Sequence, residues 1–533
     1  MSSQDFDVVV SGYGPAGQAV TSLLSRLGHR VCAIERFPTL YGQPRLCTID
    51  GESARIVQAA GDVDHAFRES TWCRRYDMYG AEGDLMGSID WSELHICGYP
   101  GRISFYQPDV EETMDATAKE NGAEVLQGWE VLGFEQDDEG VTVRAKKRDL
   151  GYGEQDDELR TIRAKYLIGC DGARSFTREH LGIERRDFGF HDAFLSIDCE
   201  RLTKLDPKFD VAFSTSIPGR TIAYIPIGRN RMRFEFLVDP DADHSAMLVP
   251  EIGYDFLEQA YGLTSDEVRI YRQVVYPFVG KVAETWRDGR VFLTGDAAHL
   301  MPPFLGQGAC SALRDSINLA WKMGMVLDGV APDSLLDSYE LERLPHSEVL
   351  VQGSVHVGQI VCERDPVKAA ERDAMYRSGN APPPEDQPKL IDGILHRDES
   401  GEIVSPTSEL MEQGIGRLNG ETGRFDDLVG WGFHVIGWEV DPRDVLSAEQ
   451  IEFLESIGAK LIRATSDYRV EGGWLDLDRT YEAWFTDQDM TRAVIVRPDF
   501  TVFGGVKEPE DLGAVVDDLR EQLVPVAKVP ESV

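Results

Sequence analysis

Residues 6–17 read FDVVVSGYGPAG: an apolar run of strand length, then Gly12-Tyr13-Gly14-Pro15-Ala16-Gly17. Residues 15–28 follow with helical amphipathicity, and residues 31–35 (VCAIE) form a second short apolar run ending in Glu35. Strand, glycine-rich turn, helix, strand is a βαβ opening, and it dictates a parallel sheet. Gly12 permits the tight turn, Gly14 lets a backbone approach a pyrophosphate, and Gly17 allows helix and strand to pack closely. The helix start offers unpaired N–H groups and a positive dipole end to phosphates, with Pro15 and Ala16 in its first turn. Glu35, 18 residues beyond Gly17, is placed to accept both hydroxyls of an unphosphorylated ribose. The stretch therefore predicts a dinucleotide, FAD or NAD, at this turn.

Outward from it, a second strand-and-helix stretch covers roughly 105–180 and a third begins at Val291. Between them, residues 185–280 alternate apolar and polar side chains in FLSIDCE, DVAFSTSI, TIAYIPIG and RMRFEFLV. A period of two predicts a mainly antiparallel sheet with one face covered. A helix is expected over 311–327, and residues 365–400 turn polar and proline-rich (SGNAPPPEDQPKL). From about 424 a separate α/β pattern begins with GFHVIGW and ends in DLGAVVDDLREQL.

Two further turns carry chemistry. Residues 166–175 (YLIGCDGARS) place Asp171 and Gly172 after a strand, and residues 290–299 (RVFLTGDAAH) do the same with Gly295 and Asp296. Either one alone reads as an ordinary Asx turn; both, after a GxGxxG, do not. Together with the MPPFLGQGAC segment at 301–310, they make the chain resemble the class A flavoprotein aromatic hydroxylases, the family of p-hydroxybenzoate and phenol hydroxylases, from Asp7 to about His346.

That resemblance implies FAD, bound tightly and non-covalently. Gly12, Gly14, Pro15, Ala16 and Gly17 would lie at its pyrophosphate, and Glu35 at the adenosine ribose with Arg36 beside it. Arg45 matches an arginine near the phosphates, Gln107 and Asp296 match residues of the ribityl region, and Asp171 and Gly172 a motif serving both FAD and NAD(P)H. Pro302, Pro303, Gly306, Gln307, Gly308 and Ala309 match the segment along the isoalloxazine ring. The helix of Asp315, Asn318, Trp321 and Lys322 follows as in the family, and so does Tyr339–Pro345. Where the family usually has asparagine, this chain has Cys310. The implied reaction uses NAD(P)H and O2 to hydroxylate a phenol through a flavin C4a-hydroperoxide. It needs no protein nucleophile and no metal, and the sequence shows no metal-ligand spacing. A polyketide-tailoring monooxygenase, Baeyer–Villiger insertion included, and a catalytically silent FAD-binding protein are the other readings.

Candidate catalytic groups are Asp50, Tyr224, Arg233 and Tyr276, and candidate substrate contacts are Phe213, Tyr224, Phe236 and Pro302. His299, inside a shared FAD motif, is expected to be structural. The expected architecture is a Rossmann-like FAD-binding domain (1–184 and 281–365) interrupted by an antiparallel substrate-binding sheet domain (185–280). A linker (366–423) and a C-terminal α/β domain (424–533) follow. The last resembles the thioredoxin-like domain of the phenol hydroxylase branch, and with no cysteine after Cys362 it cannot perform dithiol chemistry.

Composition bounds the rest. Hydrophobic residues at 42% and charged residues at 28% describe a globular chain rather than a disordered one. A net charge of −39 repels nucleic acid and anionic membranes, so neither is an expected partner, and anionic cofactors must be captured by local arginines and helix N-termini. No apolar run reaches the ~20 residues of a membrane span, and the opening residues carry no basic segment ahead of an apolar one. The cytoplasm is the expected compartment, reduced thiols the expected state of the eight cysteines, and a homodimer the expected assembly.

Overall fold

The computed structural model describes residues 6–148, 158–218, 220–380 and 387–524. The strand Phe6–Ser11 lies at the centre of a parallel sheet, between Val31–Glu35 (Val8 opposite Val31) and Leu159–Gly169 (Ser11 opposite Gly169). Glu124–Gln127 extends one side, and Val291–Leu293 pairs parallel on the other. Val8, Val9 and Val10 are fully buried, as a parallel strand covered on both faces requires. The crossover helix Pro15–Arg26 buries Ala19, Val20, Leu23 and Leu24 on one face.

The second sheet has eight strands, and its long members, Arg185–Arg201 and Val268–Ala283, run antiparallel side by side. Arg231–Leu237 and Ile222–Ile227 follow, then Ala212–Thr215. Two strands at the far edge, Arg75–Tyr79 and Leu85–Asp90, come from the segment expected to belong wholly to the nucleotide-binding unit. Strict alternation gives this sheet two unlike faces. Leu195, Ile197, Met232, Phe234 and Phe236 point to one side and form a core that includes Leu257 of the helix Pro250–Tyr261. Ser196, Asp198, Arg233 and Glu235 point to the other. At the opposite end, His299–Leu300 pairs with Lys281 and Val282, stitching the sheet to the turn that holds Asp296.

Within the expected linker the chain forms the helix Pro366–Arg377, capped by Asp365, and Arg377 pairs with Asp84 beside the edge strand. The proline run Pro382–Pro384 lies outside the described residues. The C-terminal sheet has seven strands. Ile415–Leu418 and Glu421–Arg424, ahead of the expected boundary at 424, pair into it, so this module starts earlier than its apolar pattern announces.

The module docks on the first unit through buried charge. Arg497 bonds both Glu342 (Nη2–Oε2 2.7 Å) and Asp499 (2.5 Å), while Lys322 reaches Glu342 at 2.7 Å. Asn318 donates to Glu342 and Asp499, and Trp321 Nε1 donates to Asp499. Burial works against the charge on Lys322 and pulls its amine down to about 8, while Arg497 and Lys322 outweigh the same effect on Glu342 and hold it ionised. Nearby, Arg55 clamps Asp426 at 2.6 and 2.9 Å and stacks on Phe500.

Candidate active site

The strands Phe6–Ser11, Leu159–Gly169 and Val291–Leu293 are adjacent and parallel, so their carboxyl ends bring three distant turns together. This is where open α/β sheets bind ligands. The turns are linked directly. Cys170 N–H donates to the Ser11 carbonyl (2.7 Å), and Thr294 N–H to Gly169 (3.0 Å). Gly12 has φ +93°, and a Cβ there would stand 2.5 Å from the Cys170 oxygen. A Cβ on Gly17 would stand 2.1 Å from the Gly12 oxygen, yet one on Gly14 would meet nothing within 4 Å. Two glycines thus serve packing, and the third leaves open the approach a pyrophosphate needs. No side chain caps the helix beginning at Pro15, so its first N–H groups face that space. Glu35 accepts from the backbone N–H of Tyr13 (2.8 Å) and Phe37 (3.0 Å), which holds the carboxylate at the mouth of the turn. Arg36 is exposed beside it.

The second turn is locally self-satisfied. Asp171 accepts from the Ser175 hydroxyl, and from the Thr177 N–H (2.8 Å) and hydroxyl (2.9 Å), while Gly172 has open space where a Cβ would stand. In the third turn Asp296 keeps its side chain accessible although protein surrounds it deeply enough for desolvation to raise its pKa. Beneath it, Asp315 accepts from His299 Nε2 (2.8 Å), Arg343 Nε (3.0 Å) and Gly295 N–H (3.3 Å). His299 therefore braces the turn, the structural role expected of it.

Gln107 fastens the opposite wall. Its oxygen accepts from the N–H groups of Arg45 (2.7 Å) and Leu46 (2.9 Å), and its amide donates to Glu111, whose carboxyl burial pushes up to about 7. Arg45 itself is exposed, with its guanidinium 3.8 Å above the Tyr41 ring. Asp50 caps the helix Gly51–Ala60 through Ser53 and accepts from Arg314 (2.6 Å) and Gln307 (3.1 Å). Burial opposes its charge, but Arg314 and Arg102 keep it well below the usual carboxylate range. Asp50 is thus held as an anion between Arg314 and Gln307.

Pro302 is buried, with its carbonyl taking the Ser354 hydroxyl at 2.8 Å, and Pro303 is exposed. Gly306 adopts φ +64° with Arg102 against it. The helix Gly308–Leu327 then starts without a side-chain cap, leaving the N–H groups of Gly308 and Ala309 in the first turn. Such a start favours negative charge. Cys310 is buried and its thiol turns back to the Gly306 carbonyl (3.5 Å). Open space at Gly14 and Gly172, two uncapped helix starts and an accessible carboxylate at Asp296 fit FAD: the first turn would hold its pyrophosphate, and the 302–309 segment its ring.

The sheet's polar face closes this space. Arg233 binds Asp198 with a fork (2.6 and 2.9 Å) and donates to the carbonyls of Arg45 (2.6 Å) and Pro44 (2.8 Å). Arg272 adds a bond to Asp198 at 2.9 Å, and Glu235 takes the Ser196 hydroxyl. Phe194, on the same face, packs on Phe304 of the 302–309 segment with centroids 6.0 Å apart. Replacing Arg233 by methionine is expected to raise the dissociation constant for FAD by roughly tenfold, about 1.4 kcal/mol, because the 44–45 loop loses both donors. Fluorescence titration of the deflavinated protein checks it.

Of the catalytic and substrate candidates read from sequence, Asp50, Arg233, Tyr276 and Pro302 adjoin this space. Phe213, Tyr224 and Phe236 are instead brought together with one another on the helix-covered face, where Tyr224 donates to the Phe209 carbonyl at 2.7 Å and stacks on Phe213. Tyr276, 39% exposed, stands opposite Phe194 on the polar face, with the Arg272 guanidinium 5.7 Å from its ring. Ser196, Asp198, Glu235 and Arg272 join the site without being among the sequence candidates; the signal that marks the first three, with Arg233, is polar residues at every second position of two paired strands.

Comparison with known proteins agrees with this geometry. Residues 5–354 match the family described as FAD binding domain, and residues 411–522 match the HcaD C-terminal domain. A probable NADH-specific resorcinol 4-hydroxylase of Rhodococcus jostii is 30% identical, over 98% of this chain and 96% of its own. A 3-(3-hydroxy-phenyl)propionate/3-hydroxycinnamic acid hydroxylase of Comamonas testosteroni is also 30% identical, over 98% of each chain. Among solved structures, the flavin-dependent monooxygenase PieE, in complex with FAD and substrate, superposes with a TM-score of 0.82 at 20% identity, covering 98% of this chain and all of that one. The chain belongs to the FAD-binding-domain family and, within it, to the FAD-dependent monooxygenases that hydroxylate aromatic compounds with NAD(P)H and O2.

Proposed function

We propose that this enzyme hydroxylates a monocyclic phenol with NADH as reductant, and that the ring lies between the 302–309 segment and the polar face of the eight-stranded sheet. The observation that carries the reading is that face itself. Ser196, Asp198, Arg233, Glu235 and Arg272 form a charged strip on a largely buried sheet, bonded to the 44–45 loop on one side and flanked by Phe194 on the other. Charge so deeply buried is costly unless it is paired, and here it also lines a wall. FAD, when bound, accepts hydride from NADH and activates O2 for transfer of one oxygen atom. The protein's own part is to hold the ring, exclude water and manage the phenol's proton.

Both relatives named above are named for substrates with a hydroxyl meta to another ring substituent, and the resorcinol enzyme is named NADH-specific. These support a meta-substituted phenol and NADH. Likeness to the solved structures of PieE and aklavinone-11 hydroxylase is at 20–23% identity and concerns the fold, so it does not favour larger substrates. The expected result is NADH oxidation stimulated at least ~10-fold by resorcinol or 3-(3-hydroxyphenyl)propionate over the unliganded rate, with one oxygen atom from labelled O2 in the product. NADH oxidation that no phenol accelerates, or that yields only peroxide, would sink the reading.

We further place the enzyme in the cytoplasm as a homodimer. All eight cysteines are free, as a reducing compartment keeps them, and no helix among the described residues is long and apolar enough to cross a membrane. Light scattering tests the assembly: a mass near twice 59.5 kDa is expected.

A further inference from the structure

We propose that Glu235 is a catalytic residue of this site: its Oε1 takes the hydroxyl proton of the phenol while Ser196 and Arg233 hold the carboxylate in place. The inference rests on the functional reading above and assigns a role that this reading leaves open.

Asp198 and Glu235 are the carboxylates beside Ser196 on the polar face, and geometry separates them. Asp198 is fully buried and saturated, with Oδ1 bound by Arg233 Nε and Oδ2 by Arg233 Nη2 and Arg272 Nη1. It can only orient its arginines. Glu235 uses one oxygen, Oε2, to accept the Ser196 hydroxyl. Its other oxygen has Arg233 Nε at 3.6 Å, beyond hydrogen-bond reach, and the side chain retains 10% exposure. Oε1 thus has a lone pair for a donor that enters the space in front of the sheet.

The location is set from both sides. Arg233, two residues away on the same face, is tied to the Pro44 and Arg45 carbonyls. Phe194, two residues from Ser196, packs on Phe304. Glu235 therefore stands on the sheet's polar face, one wall of the proposed ring site, between the neighbours that reach the 44–47 loop and the 302–309 segment. Arg233 faces it from its own strand, Ser196 and Asp198 from Arg185–Arg201, Arg272 from Val268–Ala283, and Cys47 from the loop. Burial drives the Cys47 thiol up to about 12, so it stays neutral. Burial also raises the Glu235 carboxyl, to about 7 even with Arg233 and Ser196 opposing, in the range a base at neutral pH needs.

The step balances simply. A ring carbon ortho or para to the hydroxyl forms its bond to one oxygen atom derived from O2 as the O–O bond breaks; the other oxygen leaves with that electron pair and, with the two electrons NADH supplies, ends as water. The phenol, giving electron density to the new bond, becomes strongly acidic. Its O–H bond breaks, the electron pair stays with the ring system, and the proton forms a new bond to Oε1. The carboxylate becomes neutral, and no further oxidant or reductant enters.

The test uses holoenzyme with resorcinol and NADH across pH 5.5–9. Wild type is expected to gain kcat/KM as pH rises through about 7, because the carboxylate is the active form. Glu235→Gln, which keeps an acceptor for Ser196, is expected to lose that limb and ~100-fold in kcat, while its FAD content stays within about twofold of wild type. Ser196→Ala removes a hydrogen bond that favours the charged form, so its limb should move to higher pH by roughly half a unit or more. A purely structural Glu235 would not shift a titration in this direction. The inference is overturned if Glu235→Gln keeps the wild-type pH profile, or if the limb in Ser196→Ala stays where it was. Should no phenol stimulate wild type, the functional reading falls and this inference with it; a stimulated wild type and an unchanged Glu235→Gln dispose of the inference alone.

Discussion

Alanine at Gly17 is expected to abolish FAD retention and to destabilise the protein, whereas alanine at Gly14 should abolish retention alone. The added Cβ at Gly17 would sit 2.1 Å from the Gly12 carbonyl oxygen, 3.1 Å from its carbon and 3.3 Å from Cys170 Cβ. None of these can move freely: Gly12 is held by its N–H bond to Ile34 (2.8 Å), and Cys170 by its bond to Ser11. The helix Pro15–Arg26 must lift from the sheet, at an overpacking cost of about 1–3 kcal/mol or more. At Gly14 a Cβ meets no protein atom, so folding should be untouched. It occupies the space through which a pyrophosphate approaches, and affinity for FAD should fall by at least ~100-fold, about 2.7 kcal/mol. Flavin absorbance per protein and a urea midpoint on each variant measure the two effects separately. A yellow Gly14→Ala protein would remove this turn from the cofactor site.

The second large effect is expected at Arg497. Its guanidinium is fully buried and serves Glu342, Asp499 and the Ile394 carbonyl (2.7 Å). Arg497→Met leaves Glu342 with Lys322, Asn318 and the Ile394 N–H, and Asp499 with Asn318 and Trp321. One cation then faces two buried anions, and breaking such a group from one side costs about 3–5 kcal/mol. Replacing Lys322, Glu342, Arg497 and Asp499 together by apolar residues of similar volume should recover most of the loss, because desolvation is then relieved along with attraction. Denaturation followed by flavin fluorescence reads both. Equal stability of Arg497→Met and wild type would show that the module is held by apolar contacts alone.

How much of this was legible beforehand follows from the physics of each part. The glycine turns and their acids were readable because backbone geometry and phosphate approach demand particular residues at fixed spacing. Gly12 with its positive φ and Gly17 at its close contact are direct instances. The antiparallel sheet was readable from its period, but the side its residues face was not. Phe213, Tyr224 and Phe236 were chosen as aromatic, and aromatic side chains are as useful to a core as to a ligand. What covers each face depends on the helix Pro250–Tyr261 and on loops far away in the chain. Arg75–Tyr79 escaped assignment for the same reason: its partner Ala212–Thr215 is more than a hundred residues on, and pairing over such distances leaves no local trace. The early start of the C-terminal module was hidden because its first strands, IGRL and ETGR, carry little apolar pattern.

The helix Gly308–Leu327 has a consequence for any attempt to shorten the enzyme. Its twenty residues make a rod of about 30 Å. One end opens toward the cofactor cradle; the flank holding Asn318, Trp321 and Lys322 is the anchor of the C-terminal module. Excision of the module would bare an ammonium, a carboxamide and an indole that have no solvent-adapted surroundings, on the same rigid piece that orients the flavin-facing turn. A minimal oxygenase cut from this chain must therefore be redesigned along that flank before it is truncated.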